Sequence, residues 1–372
     1  LPKTHWEESP LKASVTDRQV FFVLFLTLTA YTVISIPKVI AQKTGSGGWT
    51  TILFTSLVFA AFAWVIVRLN SAFPGKMLFD YSRRIVGKAA AYVLAAYFAL
   101  YFLLVAVHLN MQLTAVLRAE FYPKTPQWVM LVATLLVIGS VAYRGVTNVG
   151  RFFEVIGSVF VLTAVATHLI MFLQGQPNEV LPLFRASQIP EYLLGTKDVV
   201  IAFLGIELLT VFPLSGRKSG RTAAAAFLTV LFVGVFYVVV VESCIMMLGM
   251  QSTKNYSYAL IEAIKQIDNP ILERFDILFL TVGFAALVAG ICGVYLALVE
   301  YATRLFKKPP RIAVVAGAGA AIVALSVAGQ SMKNSTDLFE SALLIAGPVS
   351  ALLIPGALLL TAKVRGLVQK PR

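Results

Sequence analysis

Ten long apolar stretches dominate this chain and decide what it can fold into. They occupy residues 20–40, 49–70, 89–117, 128–143, 153–173, 199–214, 223–248, 272–306, 312–328 and 341–361. Because roughly 20 residues of apolar helix cross the hydrocarbon core of a bilayer, each stretch is a candidate membrane span. Only 13% of the 372 residues are charged, against about 25% in soluble domains. The sequence therefore predicts an all-α membrane protein, with ten transmembrane helices in one domain covering residues 1–372.

The formal net charge of +13 fits membrane topology better than a nucleic-acid partner. If ten spans alternate across the bilayer, roughly two-thirds of the Lys and Arg residues fall in the two termini and the loops on their side. Positive residues favour the cytoplasmic side of a membrane. We therefore expect both termini in the cytoplasm, membrane lipid around the helices, and no bound nucleic acid.

The potential metal ligands of the chain are scattered. Cys244 and Cys292 lie within apolar stretches, as do His108 and His168, whereas His5 lies in the polar N-terminal segment. None of them has a second ligand at the spacing that metal sites use. We expect no metal, no cofactor and no disulfide framework.

Spans one and six share a pattern that suggests an internal repeat. Each has a small or polar patch about six residues before a proline, Pro37 or Pro213, and a Gly/Ser-rich segment follows at 45–48 or 215–220. The two prolines lie about half the chain apart. Because five is an odd number, two five-span halves have opposite orientations in the membrane. The pattern predicts an inverted five-plus-five repeat, at about 17–173 and 192–367, with broken helices one and six.

Such breaks have a chemical use. Proline removes a backbone N–H group and weakens the preceding turn, and unpaired backbone groups are tolerated in a membrane where they line a cavity or meet a ligand. Helix N-termini attract a carboxylate, while freed carbonyl groups accept an ammonium group, so the pair suits an α-amino acid. The alternative is that Pro37 and Pro213 only kink two packed helices.

The candidate ligand-binding residues lie at the two breaks and on the spans expected to face them. They are Thr29, Ala30, Tyr31 and Thr32 in span one, Leu204, Gly205 and Glu207 in span six, Tyr101 and Val105 in span three, and Phe284 and Val288 in span eight. Glu207 is the most informative of them, because a carboxylate near mid-membrane needs a partner or a wet cavity. It either contacts a ligand or a proton, or forms a structural hydrogen bond to the broken backbone.

Several short motifs, taken in order, resemble the B subunit of bacterial spore-germination receptors, the GerAB-type family of the amino acid–polyamine–organocation superfamily. The residues that carry the resemblance are Arg18-Gln19, Ile36-Pro37, Gly47-Gly48-Trp49, Phe73-Pro74-Gly75-Lys76, Tyr81-Ser82, Gly87-Lys88, Thr125-Pro126, Pro182-Leu183, Gly205-Ile206-Glu207 and Glu273-Arg274-Phe275-Asp276. The resemblance implies recognition of a nutrient germinant, commonly an amino acid, in the spore inner membrane beside A-type and C-type subunits.

The sequence is compatible with two functions, a germinant-sensing subunit and a secondary amino acid transporter. The middle of span eight, residues 282–294, contains no Ser or Thr to coordinate a coupling sodium ion, which favours sensing. An enzyme requires convergent nucleophile, base or metal groups, and the spans offer only scattered ones. We therefore expect the chain not to be an enzyme.

Overall fold

The computed structural model describes residues 15–214, 219–267, 275–306, 309–332 and 334–367. Within these residues the chain is all-helical, apart from an isolated bridge between Val15 and Leu214. The α-helices are α1 (Asp17–Thr32), α2 (Ile36–Lys43), α3 (Gly48–Ser71), α4 (Leu78–Ile85), α5 (Lys88–Glu120), α6 (Gln127–Tyr143), α7 (Val146–Gln174), α8 (Ile189–Leu194), α9 (Thr196–Val199), α10 (Ser219–Leu248), α11 (Met250–Asn255), α12 (Ala259–Lys265), α13 (Phe275–Leu305), α14 (Arg311–Ser331), α15 (Ser335–Pro348) and α16 (Ile354–Val364). The start of predicted span eight at 272, Glu273, Arg274, and the loop residues 215–218 lie outside the described residues.

Seven helical runs in the described residues are long and apolar enough to cross a membrane, or eight if the bent pair α1 and α2 counts as one span. The last of these runs, Ser335–Val364, consists of α15 and α16 joined by a π-helical turn at Val349–Leu353. Helix α6 is apolar but shorter, at 17 residues. The region predicted as span six is not a continuous helix.

The first span is broken between α1 and α2, which meet at an angle of 61°. Helix α1 begins with a capping box at Thr16 and ends at Thr32. Pro37 lies in the first turn of α2 rather than at the bend itself. Proline is tolerated there, because the first N–H groups of a helix have no intrahelical partner. Pro37 thus marks the start of the second half of the span.

The second break lies between two short 3-10 helices, Val200–Phe203 and Ile206–Thr210. Leu204 is extended between them, and Gly205 has a φ of 116°, a conformation that favours glycine. A Cβ atom at Gly205 would also lie 2.9 Å from Thr27 Cγ2. The break in span six therefore depends on a glycine packed against α1.

Helix α13 packs in the centre of the bundle against α1, α5, α6 and α7, and α10 packs along α3. Close approach of α13 to α1 requires Gly290, where a Cβ would lie 2.4 Å from Ala30 Cβ and 2.6 Å from the Leu26 carbonyl oxygen. Large apolar side chains such as Leu136, Leu162 and Ile345 point outward and are exposed. This surface suits lipid, and it leaves the broken segments enclosed by helices.

Candidate functional site

The carboxylate of Glu207 lies at the second break and is fully buried. Its two oxygens accept hydrogen bonds from the backbone N–H of Gly205, at 3.0 Å and 2.8 Å. The hydroxyl of Tyr101, on α5, donates to the Oε1 atom at 2.6 Å. The side chain therefore satisfies backbone that the break exposes, and it joins span six to α5.

Tyr31 completes this polar cluster from the first break. Its side chain is buried at the end of α1, and its hydroxyl forms no hydrogen bond of normal geometry. The hydroxyl is nevertheless close enough to Tyr101 and Glu207 to interact with both. The structure thus brings together four of the predicted site residues, namely Tyr31, Tyr101, Gly205 and Glu207.

Glu207 has hydrogen-bond donors but no counter-ion among the described residues. The ion pairs among the described residues join other groups, mostly near the helix ends, as in Arg18–Glu154 and Lys43–Asp198. A buried charge is stabilised far better when it is paired with an opposite charge than by neutral donors alone. A cationic group beside this carboxylate would therefore supply the charge that the cluster lacks.

Tyr237 of α10 links the two breaks. Its buried hydroxyl lies 2.7 Å from the carbonyl oxygen of Leu28 in α1 and 3.1 Å from that of Ala202 before the second break. A buried tyrosine hydroxyl normally finds a hydrogen-bond partner, and a carbonyl freed from a helix must also be satisfied. One side chain thus ties α1 and the segment before Gly205 to the same helix.

The segment after the break is held from three sides. Asn70 Nδ2 donates to the Leu209 carbonyl at 2.6 Å, and the Tyr81 hydroxyl donates to Asn70 Oδ1 at 2.6 Å. Tyr301 of α13 donates to Thr210 Oγ1 at 2.9 Å. These contacts fix the irregular backbone around Glu207 through α3, α4 and α13.

The other predicted residues of the first break have mainly structural contacts. Thr29 Oγ1 donates to the Phe25 and Leu26 carbonyls of its own helix. Ala30 faces Gly290 of α13. The carbonyl of Thr32 accepts hydrogen bonds from the Ser35 backbone and side chain. Thr29 and Ala30 shape the break, whereas the buried hydroxyls of Tyr31 and Thr32 form no hydrogen bond of normal geometry.

The apolar residues predicted to line the site lie at different places in the fold. Val105 is buried on α5. Leu204 packs against Gly347 of α15, and the absence of a side chain there leaves room for it. Phe284 instead stacks edge-on against Phe121, with ring centroids 5.2 Å apart. Val288 is partly buried against the core.

Phe284 also lines a small cavity of about 30 Å³ beside the first break. Val33 and Ile34 line the same cavity, together with His168, whose Nδ1 atom lies 2.9 Å from Ser243 Oγ. The cavity lining does not include Tyr31, Tyr101 or Glu207. The structure therefore does not bring Phe284 to the Glu207 cluster.

The residues that sequence reasoning missed are tyrosines and one amide. Tyr237, Tyr81, Tyr301 and Asn70 are all fully buried and bond to the second break or to its neighbours. The sequence signal for such residues is a side chain with a polar end inside an apolar span, since a buried polar group needs a hydrogen-bond partner. Among the described residues, no group of three His, Cys, Asp or Glu side chains could hold a metal ion.

The family model for spore germination proteins matches residues 14–333 of this chain. The chain belongs to this family. The matched residues include both breaks and the Glu207 cluster, so the site described above lies within the family's own region. The family together with the apolar helices indicates a multi-pass membrane protein.

Curated relatives agree with the family. The spore germination protein YndE of Bacillus subtilis (strain 168) is 23% identical over 302 residues, which cover 80% of this chain and 83% of YndE. GerLB of Bacillus cereus is 25% identical over 276 residues, covering 72% of each chain. GerQB of Bacillus cereus is 21% identical over 283 residues, covering 74% of this chain and 76% of GerQB.

Solved structures show the fold to be that of transporters. A Na⁺-coupled sialic acid symporter in a substrate-bound outward-open state is similar with a TM-score of 0.61 and 12% identity, over 92% of this chain and 80% of the symporter. MhsT in complex with L-phenylalanine is similar with a TM-score of 0.63 and 12% identity, over 95% of this chain and 99% of MhsT. At this identity the likeness concerns the fold alone.

Proposed function

We propose that this chain is the germinant-sensing subunit of a spore germination receptor, and that it binds a small amino acid at the breaks of spans one and six. In this proposal ten spans form an inverted five-plus-five repeat in one domain, with both termini in the cytoplasm. The subunit acts in the spore inner membrane beside A-type and C-type subunits. Family membership supports the germination role, and the transporter fold supports a ligand site between helices.

The observation that carries the proposal is the buried carboxylate of Glu207, which has neutral donors and no counter-ion among the described residues. The ammonium group of an amino acid supplies the missing charge. The first turn of α2 has no side-chain cap. Within it Pro37 has no N–H, and the Val39 N–H bonds to the Ser35 carbonyl. In this proposal the N–H groups of Ile36 and Lys38 therefore meet the ligand carboxylate. Binding at both breaks would then fix their relative position.

The Glu207→Gln variant tests this role, because it keeps the shape and most of the hydrogen bonding but removes the charge. We expect normal accumulation in the spore membrane, together with a 10- to 100-fold higher germinant requirement, since a hydrogen bond to a charged group contributes roughly 1.5–3 kcal/mol. Spore germination against L-alanine, L-valine and L-leucine concentration and quantitative immunoblotting measure the two quantities in one strain.

The matched control is Glu242→Gln, the same change in α10, where no hydrogen bond connects the carboxylate to either break in the described structure. We expect this variant to accumulate and respond as the wild type does. A Glu207→Gln strain with normal abundance and a normal response would contradict the proposal. Loss of protein from the membrane would instead assign Glu207 to structural capping.

A secondary amino acid transporter is the second candidate, and the fold of the solved neighbours favours it. The contact between α1 and α13 favours sensing, because the two helices pack so closely that a Cβ at Gly290 would lie 2.6 Å from the Leu26 carbonyl oxygen. The facing part of α13, residues 282–294, also offers no Ser or Thr hydroxyl to coordinate a sodium ion. Uptake of radiolabelled L-alanine into proteoliposomes, with and without a sodium gradient, separates the candidates, and gradient-driven accumulation would establish transport.

A further inference from the structure

A large groove opens on the outer surface of the bundle between α6 and α14, away from both breaks. Its volume is about 970 Å³, and its lining is predominantly apolar. Leu136 of α6 and Ile312 of α14 lie on its rim and are exposed, and Tyr295 of α13 lies in the lining between them. An apolar surface of this size in a membrane protein faces acyl chains or another helix.

Small residues make the groove deep. A Cβ atom at Gly139 would lie 3.9 Å from the Tyr295 hydroxyl, and one at Gly319 would lie 3.3 Å from it. Ala316 and Ala320 line the same face of α14. The hydroxyl of Tyr295 donates to the Val315 carbonyl and is therefore satisfied within the protein. The deep part of the groove thus offers shape and apolar contact, without a free polar group.

One end of the groove is positively charged. Arg144 and Asn148 line this end, at the turn between α6 and α7. Arg144 is exposed and forms no ion pair among the described residues. The neighbouring Arg311 is already neutralised by Glu300 at 2.9 Å, and it donates to the Tyr143 and Ala142 carbonyls. The free positive charge at the groove end is therefore that of Arg144.

Two helix N-termini strengthen this positive end. Helix α7 begins at Val146 and α14 begins at Arg311, and residues of both first turns line the groove. Neither N-terminus has a side-chain cap, so their N–H groups and positive dipole ends add to the field of Arg144. The negative end of α6 lies at the same place, but its Ala142 and Tyr143 carbonyls already bond to Arg311. A phosphate group at this end of the groove would meet both the guanidinium group of Arg144 and the backbone N–H groups of the two helices.

We propose that the α6–α14 groove binds one anionic phospholipid, with its phosphate at Arg144 and its acyl chains along the small residues of α6 and α14. Charge complementarity selects this occupant, because the groove joins a long apolar surface to an unpaired guanidinium group. A partner helix would cover the apolar surface but would leave Arg144 without an anion.

Native mass spectrometry of the purified chain tests the proposal with added phosphatidylglycerol or phosphatidylcholine. We expect one phosphatidylglycerol molecule to be retained in preference to phosphatidylcholine. Arg144→Gln should lower that preference roughly fivefold, since one basic side chain contributes about 1 kcal/mol toward an anionic lipid. The double variant Ala316→Phe and Ala320→Phe should lose the bound lipid, because the two rings fill the groove.

Ala313→Phe is the matched control, since Ala313 lies on α14 and is exposed but does not line the groove. We expect it to retain the lipid as the wild type does. Equal retention of both lipids by the wild type, or retention by the double variant, would overturn the proposal.

A second measurement avoids bulky substitutions. The thiol of an Ala320→Cys variant should react with a maleimide more slowly in phosphatidylglycerol nanodiscs than in phosphatidylcholine nanodiscs. Protection that is equal in the two lipids and arises only when an A-type subunit is co-expressed would assign the groove to a partner helix, and would likewise overturn the proposal.

Discussion

The hydroxyl of Tyr101 donates a hydrogen bond of 2.6 Å to the Oε1 atom of Glu207, and both side chains are buried. Tyr101 lies on the continuous helix α5, whereas Glu207 lies in a 3-10 helix directly after a break. The bond therefore holds an irregular segment against a regular one. A ligand that binds the Glu207 carboxylate either displaces the Tyr101 hydroxyl or binds beside it.

Tyr101→Phe should lower the stability of the chain, because it removes a donor from a buried carboxylate. Interhelical hydrogen bonds in membranes contribute roughly 0.6–2 kcal/mol, so we expect a loss of that order in the free energy of unfolding. Thermal unfolding in detergent measures it. Tyr92→Phe is the control, since Tyr92 lies on the same helix and is exposed. Equal melting temperatures for the two variants would contradict this account of the bond.

Gly205→Ala should destabilise the second break more strongly. Alanine is strained at a φ of 116°, and its Cβ would lie 2.9 Å from Thr27 Cγ2. Backbone strain of this kind costs roughly 1–3 kcal/mol. Gly317→Ala is the control, because Gly317 lies on α14 with open space around it. We expect lower membrane abundance and melting temperature for Gly205→Ala alone, and a tolerated alanine would show that the break does not depend on glycine.

The breaks themselves could be anticipated from the sequence, but their exact positions could not. Pro37 indicated a break in span one, yet the helix ends at Thr32 and Pro37 lies within the first turn of α2. A proline is compatible with a kink at its own position or with a helix start just before it. Glu207 is more informative than Pro37, because a carboxylate within an apolar span is costly and needs a partner.

Side-chain directions on the central helices were harder to predict. Between residues 277 and 299, helix α13 is apolar on nearly every side, so no periodicity shows which residues face span six. The sequence alone therefore predicts Phe284 as a site residue, whereas its ring packs edge-on against Phe121. The partners of Tyr237 are Leu28 and Ala202, which are distant in sequence. Only the packing of α10 against both breaks brings them together.

Tyr237→Phe should loosen both breaks at once, because the carbonyl groups of Leu28 and Ala202 lose a shared donor. Backbone amides near the two breaks should then exchange hydrogen faster, since local opening costs less free energy. Hydrogen–deuterium exchange of peptides covering 26–36 and 200–208 measures this effect. Faster exchange confined to one break would show that the hydroxyl serves that break alone.

The predicted orientation can be tested with single cysteines. Asn255 and Lys88 are both exposed in the structure, at the end of α11 and the start of α5. The positive-inside rule places Asn255 outside and Lys88 inside. An impermeant maleimide should therefore label Asn255→Cys and not Lys88→Cys in intact protoplasts. The native Cys244 and Cys292 are buried and should not react. Labelling of Lys88→Cys would reverse the orientation.

The last prediction concerns the side chain of the ligand. In the proposed site Glu207 pairs with one ammonium group, and the partners of its carboxylate, the Tyr101 hydroxyl and the Gly205 backbone, carry no charge. A second charge on the ligand would be buried without a partner, at a large cost in free energy. We therefore expect alanine, valine and leucine to bind better than aspartate or lysine.

Thermal shifts of the purified chain at equal concentrations of each L-amino acid measure this preference. A ligand at about 100 times its Kd stabilises the folded state by roughly 2.7 kcal/mol, so the three aliphatic amino acids should raise the melting temperature. The Glu207→Gln variant should show clearly smaller shifts at the same concentrations, because the ammonium group no longer meets a charge and binding is weaker. A larger shift with aspartate or lysine would exclude the aliphatic preference, and undiminished shifts in Glu207→Gln would place the ligand away from this carboxylate.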